Sequence, residues 1–233
     1  MKSKFYIILV SVFLIPISSV FAQSGPEKFG EVSEAIVKMR VYDKDTSAAA
    51  VVLSDYGNTY FASDQGGLKL IFERHTRIKI LKKSGYNWAS VSVPHYLTKG
   101  AKERVYKLQG YTYNMEGGKL VREKLDSESM YKEERTENWH LMKFAMPNVK
   151  EGSVIEYSYV VSSEFLFNLR GWEFQTTIPV EHSEYKVRIP TKLNYKLEQQ
   201  GYLNLDVAKK SFKGTDLTYH FAISNVPAIY PEK

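Results

Sequence analysis

The chain has no cysteine among its 233 residues, and this absence excludes several kinds of site at once. A disulfide framework, a thiol nucleophile and a thiolate-bound metal all need the missing residue type. Lipid attachment as a lipoprotein is excluded too, because it needs a cysteine directly after the leader. A chain of this length can bury enough apolar surface to fold without disulfides.

Long apolar runs are also missing, except at the N-terminus. Two lysines precede an apolar run from Phe5 to Ile17, which as a helix would span about 20 Å, against about 30 Å of bilayer hydrocarbon. Small residues follow and end at Ala22. This order is typical of a secretory signal peptide. We predict a leader over residues 1–22, cleavage before Gln23, and an exported protein, periplasmic or extracellular, with no membrane span after processing.

Charge of one sign is not concentrated anywhere in the chain. The 32 Lys and Arg residues stand among 26 Asp and Glu residues, a formal net charge of +6 that falls to +4 without the two lysines of the leader. Nucleic-acid-binding proteins concentrate their basic residues on one surface. We therefore expect no nucleic-acid partner, and scattered charge that serves solubility and weak attraction to anionic envelope polymers.

Catalytic and metal-binding motifs are missing as well. The five histidines are far apart, and there is neither a His-Glu-x-x-His pair nor a Gly-x-Ser-x-Gly elbow. The Gly66-Gly67 pair precedes a strand pattern, so it is not a phosphate-binding loop. We predict no metal, no cofactor and no recognisable catalytic set.

What the chain does have is an abundance of residues that favour strands. Its 17 Tyr and 12 Phe accompany short runs of Val and Ile separated by Gly, Asn, Asp and Pro. In the run from Leu70 to Leu81, Leu70, Phe72, Ile78 and Ile80 share one parity, whereas Glu73, His75, Arg77 and Lys79 share the other. This alternation predicts one buried face and a basic stripe on the solvated face.

The remaining segments predict an all-β protein, a large antiparallel β-sandwich with residues 23–233 as a single domain. Ala48–Leu53 is predicted as a strand that ends in a turn at residues 54–58, and the paired glycines within Tyr111–Val121 predict a hairpin. Residues 126–137 are charged and weakly periodic, with Asp126 as a candidate N-cap, so a short helix or mobile loop is expected there. The late strands are predicted at Tyr185–Ile189, Val207–Phe212 and Asp216–Ile223, the last two paired with each other.

The most informative segment runs from Phe144 to Tyr159, where Pro147 fixes a turn, Gly152 can adopt a positive φ, and a strand follows. Five further segments accompany it in a fixed order: Ala48–Leu53 with Asp55–Gly57, Arg77–Leu81, Tyr111–Lys119, Trp172–Gln175 and Ile178–Val180. Together they resemble the family catalogued as domain of unknown function 3857, along nearly the whole chain.

This resemblance implies a β-sandwich module from the exported proteins of Gram-negative bacteria. In that family the module usually precedes a papain-like transglutaminase core, which carries the Cys, His and Asp chemistry. This chain stops short of such a core, at a segment, Asn225–Lys233, that resembles the exit from the first domain. The resemblance therefore implies a transglutaminase-like partner domain and transfers no catalytic residue.

A cluster of aromatic residues between Phe165 and Phe174 is the candidate ligand-binding region. Aromatic side chains on an exposed β face grip a peptide or stack on sugar rings, although more often they fill a sandwich core. The interrupting turn at residues 168–171 could hold side chains near a rim. The candidate contact residues are Arg170, Trp172, Glu173, Phe174 and Tyr157.

Three functional hypotheses follow. The first is a non-catalytic module that binds a partner domain or an envelope polymer, protein or glycan. The second is a peptidase or glycosidase with a dispersed site, for which at least two of Glu156, Glu164, Glu173 and His182 should converge in one concave pocket, although on alternating strands such acids are more often outward residues. The third is the remnant of a truncated longer protein.

Overall fold

The structure is a computed structural model and describes residues 27–229. The leader at residues 1–22 and its cleavage between Ala22 and Gln23 lie outside the described residues. Within the described part of the chain, no helix is long and apolar enough to cross a bilayer.

Strands dominate the described residues. One short helix, α1 (Glu34–Lys38), precedes the strands, and 3-10 turns lie at Lys83–Ala89, Ser127–Ser129 and Thr191–Leu193. The strands are β1 (Ala50–Asp64), β2 (Gly67–Ile80), β3 (Ser90–Tyr96), β4 (Glu103–Glu116), β5 (Lys119–Lys124), β6 (Met130–Glu134), β7 (Trp139–Ala145), β8 (Val154–Ser163), β9 (Val180–Pro190), β10 (Val207–Lys213) and β11 (Asp216–Val226).

The strands form an eight-stranded sheet and a three-stranded sheet. The large sheet has the order β10-β11-β9-β1-β2-β8-β4-β5, and the small one has the order β3-β7-β6. Every neighbouring pair is antiparallel except β1 and β9, which run parallel. The predicted all-β class with a mainly antiparallel arrangement is confirmed.

The face of the large sheet that looks toward the small sheet is called the inner face here. It carries the main core, to which Phe72, Ile155, Val161 and Val187 contribute. Phe144 of the small sheet packs into the same core. Apolar residues at alternate positions of adjacent strands give this face its continuous hydrophobic surface.

The opposite, outer face has its own cover. Residues 27–48, called the N-terminal segment, lie across it, and Val37 and Tyr42 pack there with Val51, Tyr113 and Val154 in a second apolar cluster. Where this cover crosses β2, β4 and β8, it buries their outer face, including Tyr113 and Val154.

That cover overturns the prediction that the basic stripe of β2 faces solvent. His75, Arg77 and Lys79 do lie on the face opposite Phe72, as their parity predicts, but all three are buried. The Lys79 ammonium donates to the carbonyl of Val37 (2.7 Å), within the N-terminal segment. The alternation along β2 predicted the face on which these residues lie, but it could not predict that the N-terminal segment covers that face.

Two local predictions also need correction. β1 does not end in a turn at residues 54–58: a bulge between Val52 and Ser54 shifts the register, and pairing continues to Asp64. β1 has partners on both sides, β2 and β9, so tertiary pairing overrides the turn-forming residues.

The segment 126–137 contains both a helical turn and a strand. Asp126 accepts a hydrogen bond from the Glu128 amide and caps the 3-10 turn Ser127–Ser129, which confirms the short helix. Met130–Glu134 is nevertheless a strand, because it pairs with β7 and Met130 packs against the core. The polar composition of that strand reflects its position at the edge of the small sheet.

Two predicted hairpins are confirmed. β4 and β5 join at Gly117 and Gly118, whose φ angles of 54° and 79° suit glycine. β10 and β11 pair from Val207 with Ala222 to Lys213 with Asp216.

Candidate functional site

The inner face of the large sheet has two different coverings. Over β8 the small sheet packs directly, and the Phe144 ring meets Tyr157 edge-on at a centroid distance of 5.6 Å. Over β9, β10 and β11 the covering consists of two irregular segments, residues 164–179 and 194–206. A groove of about 640 Å³ lies between these segments and the strands.

The floor of this groove is aromatic. Tyr185 of β9 and Tyr219 and Phe221 of β11 line it, with the last two rings stacked at 6.0 Å and an interplanar angle of 16°. Phe221 pairs with Tyr185 on the neighbouring strand, so the side chains of these two residues lie side by side. The result is a flat apolar surface of the kind that accepts planar or extended ligands.

Trp172 forms a fixed wall of the groove. Its ring is stacked on Tyr185 with centroids 5.0 Å apart and an interplanar angle of 5°, and its Nε1 donates to Ser183 Oγ at 3.0 Å. The Arg74 guanidinium lies 4.9 Å from the ring centroid. At Gly57 an added Cβ would approach the ring to 2.2 Å, so only glycine fits beneath it. The indole is held from four sides.

Arg170 also lines the groove, but its guanidinium is already engaged. It donates to the Pro94 carbonyl at 2.7 Å and to Glu103 Oε2 at 3.0 Å. Its own carbonyl accepts from the Tyr185 hydroxyl at 3.1 Å. Arg170 therefore ties the segment 164–179 to β3, β4 and β9, which keeps the groove open in a defined shape.

Exposed aromatic residues lie at the groove and on the elements that border it. Phe167 lines it with 83% of its surface exposed, and Phe212 of β10 is 70% exposed. Tyr202, within the segment 194–206, is fully exposed, and Phe174 lines the groove half-buried. Large apolar side chains that are grouped and exposed mark interaction surfaces more often than single exposed residues do.

The wall at residues 194–206 contributes a buried hydroxyl. The Tyr195 ring packs against Phe61 at a centroid distance of 5.8 Å, and its hydroxyl is buried with no hydrogen-bond partner among residues 27–229. Burial raises the pKa of this hydroxyl, so it stays a neutral donor at ordinary pH. Buried polar groups rarely remain unpaired in proteins.

The charged groups at the groove are mainly basic. Lys210 of β10 places its ammonium 5.7 Å from the Tyr219 ring centroid. Lys196 is paired with Glu198 at 2.8 Å, so its charge is compensated. Lys209 also lines the groove. The lysines of β10 thus bias the groove toward ligands with negative charge.

The structure brings together three of the five predicted contact residues. Arg170, Trp172 and Phe174 line the groove. Tyr157 lies in the core beneath the small sheet, where burial raises the pKa of its hydroxyl to about 12. Glu173 is exposed and is not among the residues that line the groove.

Sequence reasoning missed the rest of the groove. Tyr185, Tyr195, Tyr219 and Phe221 are as central to it as Trp172, and they come from strands and a segment remote in sequence. Alternation of aromatic residues along β11 was the available signal. It marks one face of the strand, but it does not show that this face lacks a second sheet.

The candidate hydrolase acids do not converge in a pocket. Glu156 lies on the outer face, as its parity predicts, but it is fully buried there and does not face solvent. Glu164 pairs with Lys69 at 2.9 Å, at the end of β8. His182 shares a hydrogen bond of 3.1 Å with Ser224 Oγ on β11. None of the three lines the groove.

Glu156 is the centre of a buried network. Its carboxylate accepts from Arg77 Nη2 at 2.7 Å and from the Tyr113 hydroxyl at 2.6 Å, and its Oε1 lies 2.8 Å from His75 Nε2. The Gly30 amide donates to it at 3.0 Å. Although burial opposes ionisation, these hydrogen bonds and the Arg77 charge lower its pKa to about 2. The network fastens the N-terminal segment to the sheet.

Metal ligands are not grouped in the described part of the chain: no set of three or more His, Asp or Glu residues between 27 and 229 could hold an ion.

A family model matches residues 69–230, and its description is a domain of unknown function with a solved structure, DUF3857. The chain belongs to the DUF3857 family. The match spans β2 to β11 and therefore includes every strand that lines the groove. No curated protein matches the sequence.

Solved structures show where this fold occurs. A protein from Parabacteroides distasonis ATCC 8503, described as a candidate protease, superposes with a TM-score of 0.59 at 13% identity, covering 79% of this chain and 37% of its own. At that identity the likeness shows the fold alone. This chain therefore spans well under half of that protein.

Two further matches are weaker. An M1 zinc metallopeptidase from Deinococcus radiodurans has a TM-score of 0.30 at 8% identity, covering 80% of this chain and 41% of its own. Yeast LTA4 hydrolase in complex with bestatin has a TM-score of 0.36 at 11% identity, covering 84% and 31%. Similarities of this size carry no argument about function.

Proposed function

We propose that this chain is a non-catalytic accessory module that binds a partner polypeptide in the inner-face groove. The observation that carries the proposal is the groove itself: a floor of stacked aromatic rings, a wall built on the immobilised Trp172 ring, and a rim with an 83% exposed Phe167. A rigid aromatic surface loses little conformational entropy on binding, which favours recognition.

The partner we propose is a catalytic domain of transglutaminase or peptidase type. Two observations support it. A longer protein described as a candidate protease contains this fold over 37% of its length. In this chain, Ile229 donates its amide to the Thr176 carbonyl at 2.8 Å, and Gln175 Nε2 donates to the Pro227 carbonyl at 2.9 Å. A domain joined after residue 229 would thus begin beside the segment that walls the groove.

We also propose that the module acts outside the cytoplasm, in the periplasm or beyond. The N-terminal sequence supports this through its lysines, apolar run and small residues before Gln23. The lack of cysteine makes the fold independent of the redox state of that compartment.

Site-specific photo-crosslinking tests the proposed binding. A photoreactive residue in place of Phe167 should give a cross-linked product in producing cells, and mass spectrometry should identify a polypeptide with a catalytic domain. The matched control is Tyr131 on β6, which is 57% exposed and distant in the fold from the groove. It should give no such product.

Equal cross-linking from positions 167 and 131 would contradict a specific groove interaction. The purified chain provides a second check. Hydrolysis of a peptide, amide or glycan that disappears when one Glu or His is replaced would show an enzyme and remove the accessory role.

A further inference from the structure

β10 is one of the two edge strands of the large sheet, at the end opposite β5, and it also borders the groove. It pairs with β11 only, and within the described residues no strand lies on its other side. A strand at a sheet edge presents unpaired backbone N–H and C=O groups in a row, which can pair with an added strand.

The composition of β10 restricts what can pair there. Its sequence, VAKKSFK, contains three lysines and no acid, and every residue after Val207 is exposed. Lysines on an edge strand prevent pairing with a second copy of the same strand, because like charges would be opposed. The same charges attract an acidic segment.

The alternation of β10 adds side-chain contacts to this edge. Ala208 and Lys210 pair with Phe221 and Tyr219, which form the groove floor, so this parity of the strand faces the groove. Phe212 has the same parity and is 70% exposed. An added strand would therefore place alternate side chains against Lys210 and Phe212.

We propose that the groove takes an extended acidic polypeptide segment, which adds to the large sheet as a strand beside β10. This inference rests on the proposed function, since it names the part of the partner that enters the groove. Backbone pairing with β10 provides the register. On one face of the added strand, carboxylates opposite Lys209 and Lys213 provide charge complementarity, and on the other face apolar side chains cover Phe212.

Synthetic peptides test the backbone pairing directly. The probe is a seven-residue peptide of alternating Glu and Val, with a Lys and Val peptide as the charge control. Two further forms carry N-methyl groups at odd or even positions, because one of the two must block pairing with the strand. Binding is measured by fluorescence anisotropy, and amide hydrogen exchange is followed at Val207–Lys213.

The acidic peptide is expected to slow exchange at β10 amides, and one of its N-methylated forms should bind at least about tenfold more weakly. The Lys and Val peptide should show no protection. Replacing Lys209, Lys210 and Lys213 together with Glu should reverse the preference between the two peptides. These lysines are exposed on an edge strand, so the fold should tolerate the change.

Unchanged exchange at β10, or equal affinity of both N-methylated forms, would overturn strand addition. If cross-linking at Phe167 still captured a catalytic domain, the proposed function would stand and only this mode of binding would be wrong. Protection of β10 by the acidic peptide without any cross-link at Phe167 would support the strand site and contradict the proposed partner.

Discussion

The two faces of the large sheet differ in what covers them. On the outer face, Glu156, Arg77 and Lys79 are buried because the N-terminal segment lies over them and supplies carbonyl and amide partners. On the inner face beyond β9, irregular segments cover the strands only in part and leave an aromatic groove.

This difference shows that the segments packed over a face, and not the strands that form it, determine the role of that face. Charged groups that the N-terminal segment buries hold that segment on the sheet through hydrogen bonds. A face that the chain leaves half-covered keeps exposed aromatic rings and an unpaired Tyr195 hydroxyl among residues 27–229. We therefore expect the outer face to govern stability and the inner groove to govern binding.

The largest effect should come from Glu156→Ala. Removing this carboxylate leaves Arg77 buried without its main counter-charge and frees the N-terminal segment, which should cost about 3–5 kcal/mol in unfolding free energy. Chemical denaturation checks the value. Glu173→Ala is the matched control, since Glu173 is exposed, and should change stability by no more than about 0.5 kcal/mol.

The same carboxylate predicts loss of stability in acid. Because the folded pKa of Glu156 is lowered to about 2 from 4.5, its contribution is present above pH 4.5 and is lost as pH falls toward 2. Glu156→Gln should flatten that part of the stability curve. An equally steep acid loss in Glu156→Gln would show that other groups cause it.

Gly57→Ala should have the next largest effect on stability. It should also affect binding, because Gly57 lies beneath a residue of the groove wall. The new Cβ would collide with the Trp172 ring, so the ring must move, at about 1–3 kcal/mol. Partner binding should weaken as well, because the groove wall shifts. Gly100→Ala, where nothing lies within 4 Å of the added atom, should leave both properties unchanged.

Lys79 offers a pH test of the buried outer face. Burial lowers its pKa from 10.5 to about 8, so between those values the unfolded chain binds more protons than the folded one, and stability rises with pH. Relative to Lys79→Met, the wild type should gain about 1–3 kcal/mol from pH 8 to 10.5. Parallel curves for the two proteins would mean that Lys79 titrates normally.

The smallest effect on stability should come from Phe167→Ala. Because this side chain is 83% exposed, its loss should change the free energy of unfolding by no more than about 0.5 kcal/mol. Binding of the cross-linked partner should nevertheless fall by at least about tenfold. A stability loss comparable to that of Gly57→Ala would show that Phe167 supports the fold and not the interface.

Local chemistry explains which parts of the fold could be predicted. Gly117 and Gly118 can adopt the backbone angles of a hairpin whatever surrounds them, so the β4–β5 turn was readable from sequence. The face on which each β2 residue lies was also predictable, because side chains alternate along any strand. The turn expected at residues 54–58 was not formed, because β1 has strand partners on both sides there.

The candidate site was predictable only in part. Arg170, Trp172 and Phe174 lie within one short segment, and their clustering pointed to the groove. Tyr157 has the same chemistry but lies under the small sheet, where no ligand reaches it. Nothing in the local sequence separates an aromatic residue in a core from one in a groove, since both occupy inward positions of a strand.

The sequence by itself determined the strand-forming character, the turns at glycine and the face on which each strand residue lies, because these follow from the backbone and its alternation. Only the tertiary structure decided which faces are covered. The burial of Glu156 and the opening above Tyr219 and Phe221 both depend on where remote segments cross the sheet. Burial requires contact between two segments, so the sequence of either segment alone does not predict it.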